Sequence, residues 1–199
     1  MPSITCLPNG PYSLTGAAVR RASGENVPVA EKAALCRCGG SKKKPFCDGT
    51  HRTNNFSDRN LADPAKNRRE TYVGKGVTIY DNRALCAHAG VCTDNLASVF
   101  RYGQEPWIDP DGAAVEHVVA TIRKCPSGAL SYAVNGEEGK APARPPLITV
   151  TDNGPYAVSG GVELAGHAAA ERYTLCRCGA SKNKPFCDGS HWNVNFKDP

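Results

Sequence analysis

Apolar residues fall in short bursts separated by glycine and proline, not in long periodic runs. Residues 4–7, 12–14 and 33–35 have the length and apolar content of short strands, and 148–150, 156–158 and 173–175 answer them near the other end. Between these groups the pattern changes. Residues 71–80 alternate around Gly74 and Gly76 like a β-hairpin. A helical stripe of Val115, Val118, Val119 and Ile122 follows Asp111, which is expected to cap it, and the stripe runs into Cys125-Pro126, where proline suits a helix end. Short helices are also expected near Asp48 and Asp188, where Asp-Gly precedes Thr50 or Ser190. Residues 59–68 are polar and read as a linker, and so does the proline-rich stretch 135–146.

The two strand-rich ends are copies of one another. Residues 36–51 read CRCGGSKKKPFCDGTH and residues 176–191 read CRCGASKNKPFCDGSH, differing at three positions. Asn55-Phe56 answers Asn195-Phe196, and Asn9-Gly10-Pro11-Tyr12 answers Asn153-Gly154-Pro155-Tyr156. The expected organisation is therefore a module at 1–58, a different unit at 69–134 and a second module at 148–199. One module alone is short of core, and pairing the copies would supply it.

Composition narrows the chemistry. Ten of 199 residues are cysteine. Residues 1–21 lack a basic region followed by an apolar run, so a cytoplasmic, reducing location is expected, where clustered thiols bind metal and do not form a disulfide framework. No stretch approaches the ~20 apolar residues of a membrane span, so no membrane association is expected. The net charge of +5 points to an acidic partner surface. Aromatic residues are only 7% and no basic stretch is interleaved with them, which argues against nucleic acid. No Ser-His-Asp set, P-loop or dinucleotide fingerprint is present, so no enzymatic activity is expected.

Each copy carries C-x-C-x8-C-x3-H. Zinc sites usually use C-x2–4-C knuckles, and C-x-C is tighter. Gly39, Ser41 and Pro45 in one loop, and Gly179, Ser181 and Pro185 in the other, would let backbone N–H groups approach bridging sulfides. That favours a [2Fe-2S] cluster over zinc. Lys42, Lys43, Lys44, Arg37 and Arg177 read singly as solvated charges; together they would surround an anionic cluster. Cys6 is answered by Val150 and reads as a packing position, not a ligand.

Both loops closely resemble the CDGSH iron–sulfur (NEET) family at every fixed position of its pattern. The resemblance implies two [2Fe-2S] clusters, one held by Cys36, Cys38, Cys47 and His51, the other by Cys176, Cys178, Cys187 and His191. It also implies a two-fold pairing of modules. In one chain this becomes an intramolecular pseudo-dimer and a monomer with an internal pseudo-two-fold. Three thiolates leave an oxidised cluster with less negative charge than four would, which eases reduction. An imidazole titrates near neutrality and is the weak ligand in acid. His51→Cys and His191→Cys should lower the potential and slow cluster loss at mildly acidic pH.

The middle unit has Cys86, Cys92 and Cys125-Pro126 in a C-x5-C-x32-C-P spacing. It resembles a divergent single-cluster ferredoxin domain with one cysteine missing from the usual run. The resemblance implies Cys86, Cys92 and Cys125 as ligands of a [3Fe-4S] cluster, or of a [4Fe-4S] cluster with His88 the nearest candidate for a fourth ligand. The other reading is three buried thiols in a degenerate domain. The expected whole is α+β: two β-rich modules around a small α+β domain. It would carry single electrons to an acidic redox or cluster-acceptor protein. Cluster storage, transfer or pH and redox sensing is the alternative, and a zinc-stabilised scaffold the remote one.

Overall fold

The computed structural model describes residues 1–198. It is β-rich, with three sheets and few helices among the described residues. In chain order the first module gives β1 (Ser3–Cys6), β2 (Tyr12–Thr15), β3 (Ala18–Arg21), β4 (Asn26–Val27), β5 (Lys32–Leu35) and a 3-10 turn at Thr50–Arg52. The middle gives β6 (Glu70–Val73), β7 (Thr78–Asp81), α1 (Val91–Asn95), α2 (Val115–Arg123), β8 (Leu130–Val134) and β9 (Glu137–Glu138). The last module gives β10 (Leu147–Val150), β11 (Tyr156–Ser159), β12 (Glu163–Leu164), β13 (Arg172–Leu175) and α3 (Ser190–Asn193). The chain divides into two compact units, residues 1–62 with 143–199, and 63–142. No helix among the described residues is long and apolar enough to cross a membrane.

The first unit is built by strand exchange. Its sheets have the orders β12-β1-β2-β5 and β13-β11-β10-β3-β4. Within each copy the hairpin and its following strand pair antiparallel, Tyr12 opposite Leu35 and Tyr156 opposite Leu175. The remaining strands cross over. β3 of the first copy lies parallel to β10 of the second, from Ala18 opposite Leu147 to Arg21 opposite Val150. β12 of the second lies parallel to β1 of the first. Alternation then buries one face of each strand: Tyr12 and Leu14 on β2, Tyr156 and Val158 on β11. These join Ile4, Val19, Ile148 and Leu164 in one core drawn from both copies. Each large aliphatic side chain buried there contributes about 1.5–3 kcal/mol.

The second unit packs α2 on the antiparallel sheet β6-β7-β8-β9, with Ile79, Phe100, Ile108, Val118 and Ile122 at its centre. Two sequence expectations change here. Ala114, not Asp111, is the residue before α2; the Asp111 carboxylate accepts the Lys75 N–H instead. The stretch 135–146 is not linker throughout. Asn135-Gly136, both with positive φ, makes a two-residue turn that returns the chain as β9.

Candidate metal centres

In both copies the motif loop is folded back on the strand that leads into it. Cys36 N–H donates to Pro45 O and Cys47 N–H to Ala34 O, at 2.7 and 2.8 Å; Cys176 and Cys187 make the matching bonds to Pro185 O and Thr174 O, at 2.8 and 3.0 Å. This hairpin-like return sets the third cysteine beside the first. Serine locks the loop from inside, Ser41 Oγ donating to Phe46 O and Ser181 Oγ to Phe186 O, both at 2.7 Å. Asp48 spans it, accepting from Lys42 N on one side and from Thr50 N and Oγ1 on the other. The Thr50 hydroxyl, followed by these backbone donors, holds the Asp48 carboxyl well below its usual range. Asp188 makes the same bridge from Lys182 to Ser190. Each aspartate thus fixes the loop as well as the short helix it precedes.

The donor atoms come together in pairs. Cys36 and Cys38 Sγ lie 4.0 Å apart, and Cys176 and Cys178 Sγ 3.8 Å. Cys47 Sγ lies 3.4 Å from His51 Nδ1, and Cys187 Sγ 3.5 Å from His191 Nδ1. Among the described residues, no three Cys, His, Asp or Glu side chains converge where one ion would sit. Each site thus offers a thiol–thiol pair and a thiol–imidazole pair, all of donor types that bind iron and zinc. Backbone N–H groups point at the sulfurs as well, Gly49 N at Cys47 and Ala180 N at Cys178, each at 3.4 Å. Such donors stabilise bound thiolates. Protons are unevenly held in the second pair. The Cys176 thiol, by hydrogen bonding, brings Cys178 down to about 7, while that same bond and then burial push Cys176 up. Burial pushes Cys36 up.

The copies build one another's sites. Tyr12 Oη donates to Cys176 O and Pro185 O of the other copy, and Tyr156 Oη to Cys36 O and Pro45 O. The two tyrosine rings meet edge to face with centroids 6.0 Å apart. Gly39 faces the Cys178 carbonyl and Gly179 the Cys38 carbonyl so closely that a Cβ at either would collide with backbone; at Gly179 the distance would be 2.6 Å. Lys44 lies over Phe196, and Lys184 over Phe56.

Arg37 and Arg177 are not the solvated charges the sequence suggests. They are 3% and 1% exposed. Arg177 donates to Gly154 O, Thr151 O and Asp198 Oδ2 at 2.7–2.8 Å. Arg37 is held more loosely, by Leu7 O at 3.4 Å and Asp58 Oδ2 at 3.5 Å, and its Nε has no partner. The arginines and tyrosines are structural parts of the sites that composition did not reveal. The repeat itself carried the tyrosine signal, since Tyr12 and Tyr156 end the matched Asn-Gly-Pro-Tyr stretches. Cys6 is half-buried against the core, as a packing residue is.

In the second unit Cys86 ends a 3-10 turn at Arg83–Leu85, Cys92 lies on α1, and Cys125 follows α2. Burial is the main force raising Cys86 and Cys92. The charge of Cys125 raises both as well, which places the three thiols in one neighbourhood. Arg83 Nη1 lies 3.7 Å from Cys86 Sγ, and Ser127 Oγ 3.6 Å from Cys125 Sγ. His88 is exposed at positive φ, and its backbone N–H donates to Cys86 Sγ.

Comparison with known proteins agrees with both motifs. The family described as iron-binding zinc finger, CDGSH type, matches residues 9–52 and 153–192. The divergent 4Fe-4S mono-cluster family matches residues 72–135. Two relatives bearing the name Uncharacterized protein YjdI, from Escherichia coli strain K12 and from Escherichia coli O157:H7, are each 43% identical over 61 residues, which is 31% of this chain and 80% of theirs.

Proposed function

Because the chain belongs to the CDGSH-type iron-binding proteins, with a divergent 4Fe-4S mono-cluster domain between its two motifs, we propose that it is a one-electron carrier. Cys36, Cys38, Cys47 and His51 would hold one [2Fe-2S] cluster, and Cys176, Cys178, Cys187 and His191 the second. Their modules act as an intramolecular pseudo-dimer. The observation that carries this reading is the repeated pairing of donors, two thiols and then a thiol with an imidazole, in both strand-exchanged copies. Cys86, Cys92 and Cys125 would hold the middle cluster. When bound, such clusters accept and release single electrons with little change of shape. The chain's part is to fix the ligands, aim N–H donors at the sulfurs and keep the loops rigid.

Iron and acid-labile sulfide counts, a visible spectrum, and EPR before and after dithionite test the reading. About four irons per chain would mean two [2Fe-2S] clusters and an empty middle domain, whereas roughly seven or eight would mean a filled one. A fully metallated but colourless protein would reject the iron reading in favour of a zinc scaffold. Cluster donation is the second reading, favoured by the partial exposure of Cys47 and His51. Mixing with an apo-ferredoxin separates the two: reversible reduction without transfer supports the electron carrier.

A further inference from the structure

The two CDGSH sites are inequivalent at their histidine edges. Cys187 and His191 are 3% and 5% exposed, whereas Cys47 and His51 are both part-exposed. The Trp192 ring lies against His191 at a tilt of 38° with centroids 5.0 Å apart; the matching residue of the first copy is Arg52. A cleft of about 990 Å³ opens on the first copy, lined by Cys47, His51 and Arg52 together with Leu7, Pro8, Asn55 and Phe56. Exposed charge is similar at the two edges: residues 36–58 expose Lys42, Lys43 and Arg52 together with Asp48, and the matching 176–198 expose Lys182 and Lys197. An open cleft beside a part-exposed ligand pair, with Arg52 in its lining, fits an acidic protein surface.

We propose that the His51 edge of the first copy is the docking face for an acidic electron-carrier protein, and that the second copy's edge is closed to it. The proposal rests on the redox reading and names which of the two sites a partner meets. Arg52, Lys42 and Lys43 steer the partner in, and the cleft seats one of its loops next to the Cys47–His51 pair.

The test uses the purified holoprotein and an acidic plant-type ferredoxin as the probe, with affinity measured by calorimetry at low and high salt. Binding should weaken as salt rises. The double variant Lys43→Glu with Arg52→Glu should weaken it about tenfold at low salt. The double variant Lys182→Glu with Lys197→Glu should leave it within about twofold. Carbodiimide coupling of the wild-type pair gives a check without variants: coupled peptides should contain Lys42 or Lys43 and not Lys182 or Lys197. No binding at low salt, equal losses in the two double variants, or coupling through Lys182 or Lys197 would each overturn the proposal. Failure of the redox reading looks different, because it would show as a missing iron–sulfur spectrum before any probe is added.

Discussion

The two motif loops differ at three of sixteen positions, yet one is sealed and the other open. The shared motif arginine meets different flanks in the two copies. In the second copy Arg177 makes three short bonds that tie residues 151–154 to Asp198 near the C-terminal end. In the first copy Arg37 reaches Leu7 and Asp58 only at 3.4–3.5 Å and leaves Nε unpaired. Identical ligands therefore sit in brackets of unequal tightness. The copy with the shorter arginine bonds is also the one whose Cys–His pair is buried.

Removing each bracket is the strongest way to break this comparison. Arg177→Met takes the donor from the buried Gly154 carbonyl and leaves the Asp198 carboxylate only the distant Arg21 at 4.0 Å, and should cost about 3–5 kcal/mol. Arg37→Met gives up longer contacts and should cost about 1–2 kcal/mol. Both arginines lie in one compact unit, so urea unfolding followed by a single probe compares them directly. Equal losses would mean that the difference in bond length carries no energy.

A buried carboxylate in the second unit supplies an internal reference. Asp81 is 1% exposed, and burial raises it from 3.8 to about 6 although Arg83 lies 3.3 Å away. Burial wins because the partner is itself half in water. A raised folded-state value favours the protonated form. Its contribution is thus fully present below about pH 4 and is lost as pH rises through about 6, by at most about 3 kcal/mol. Unfolding of the second unit should become easier between pH 4 and 7, and Asp81→Asn should flatten that slope. The same pH change should leave the difference between Arg37→Met and Arg177→Met in place.

Tyrosine exchange allows a finer test, since each copy's hydroxyl serves the other copy's loop. Tyr12→Phe should cost about 1–3 kcal/mol by unpairing Cys176 O and leaving Pro185 O with only the Cys176 N–H. Its effect on metal retention should fall on the second copy's site, and that of Tyr156→Phe on the first. Iron release to a chelator, followed in chains that keep only one intact quartet, reads this. Loss confined to the mutated copy would contradict the cross-bracing.

This exchange also marks where sequence reading ended. The strands inside each copy were legible because their apolar residues cluster locally: Ile4, Tyr12, Leu14 and their counterparts. The crossing strands were not. Ala18–Arg21 buries only Val19, and Glu163–Leu164 only Leu164. Each has a parallel partner more than a hundred residues away, and only Ala18–Arg21 also has a local one, Asn26–Val27. The Asn135-Gly136 turn had its signal in the sequence, but the prolines behind it suggested a linker. The ligand quartets came from the resemblance to the CDGSH family, and the structure sets Cys36 beside Cys38 and Cys47 beside His51 in the first copy and repeats both pairs in the second. The burial of Arg37 and Arg177 was not legible, since nothing local distinguishes an arginine that binds carbonyls from one in water.

The smallest expected effect is the most specific. Thr151 Oγ1 donates to Pro155 O at 2.7 Å and closes the turn that Arg177 grips. Its counterpart Leu7 has no hydroxyl and is 41% exposed, so the matching turn is held by the Leu7 N–H to Pro11 O bond at 3.1 Å. Leu7→Thr supplies the missing donor and removes exposed apolar surface. One neutral hydrogen bond near the surface should add about 0.5–1 kcal/mol. The carbonyl of residue 7 would then be held closer to Arg37, and the His51 cleft would narrow. The gain should therefore appear twice, as a higher urea midpoint and as slower iron loss from the first quartet. The converse variant, Thr151→Leu, should loosen the second site by a similar amount. A midpoint shift without any change in iron loss would show that the turn stabilises the fold but does not set the openness of the site.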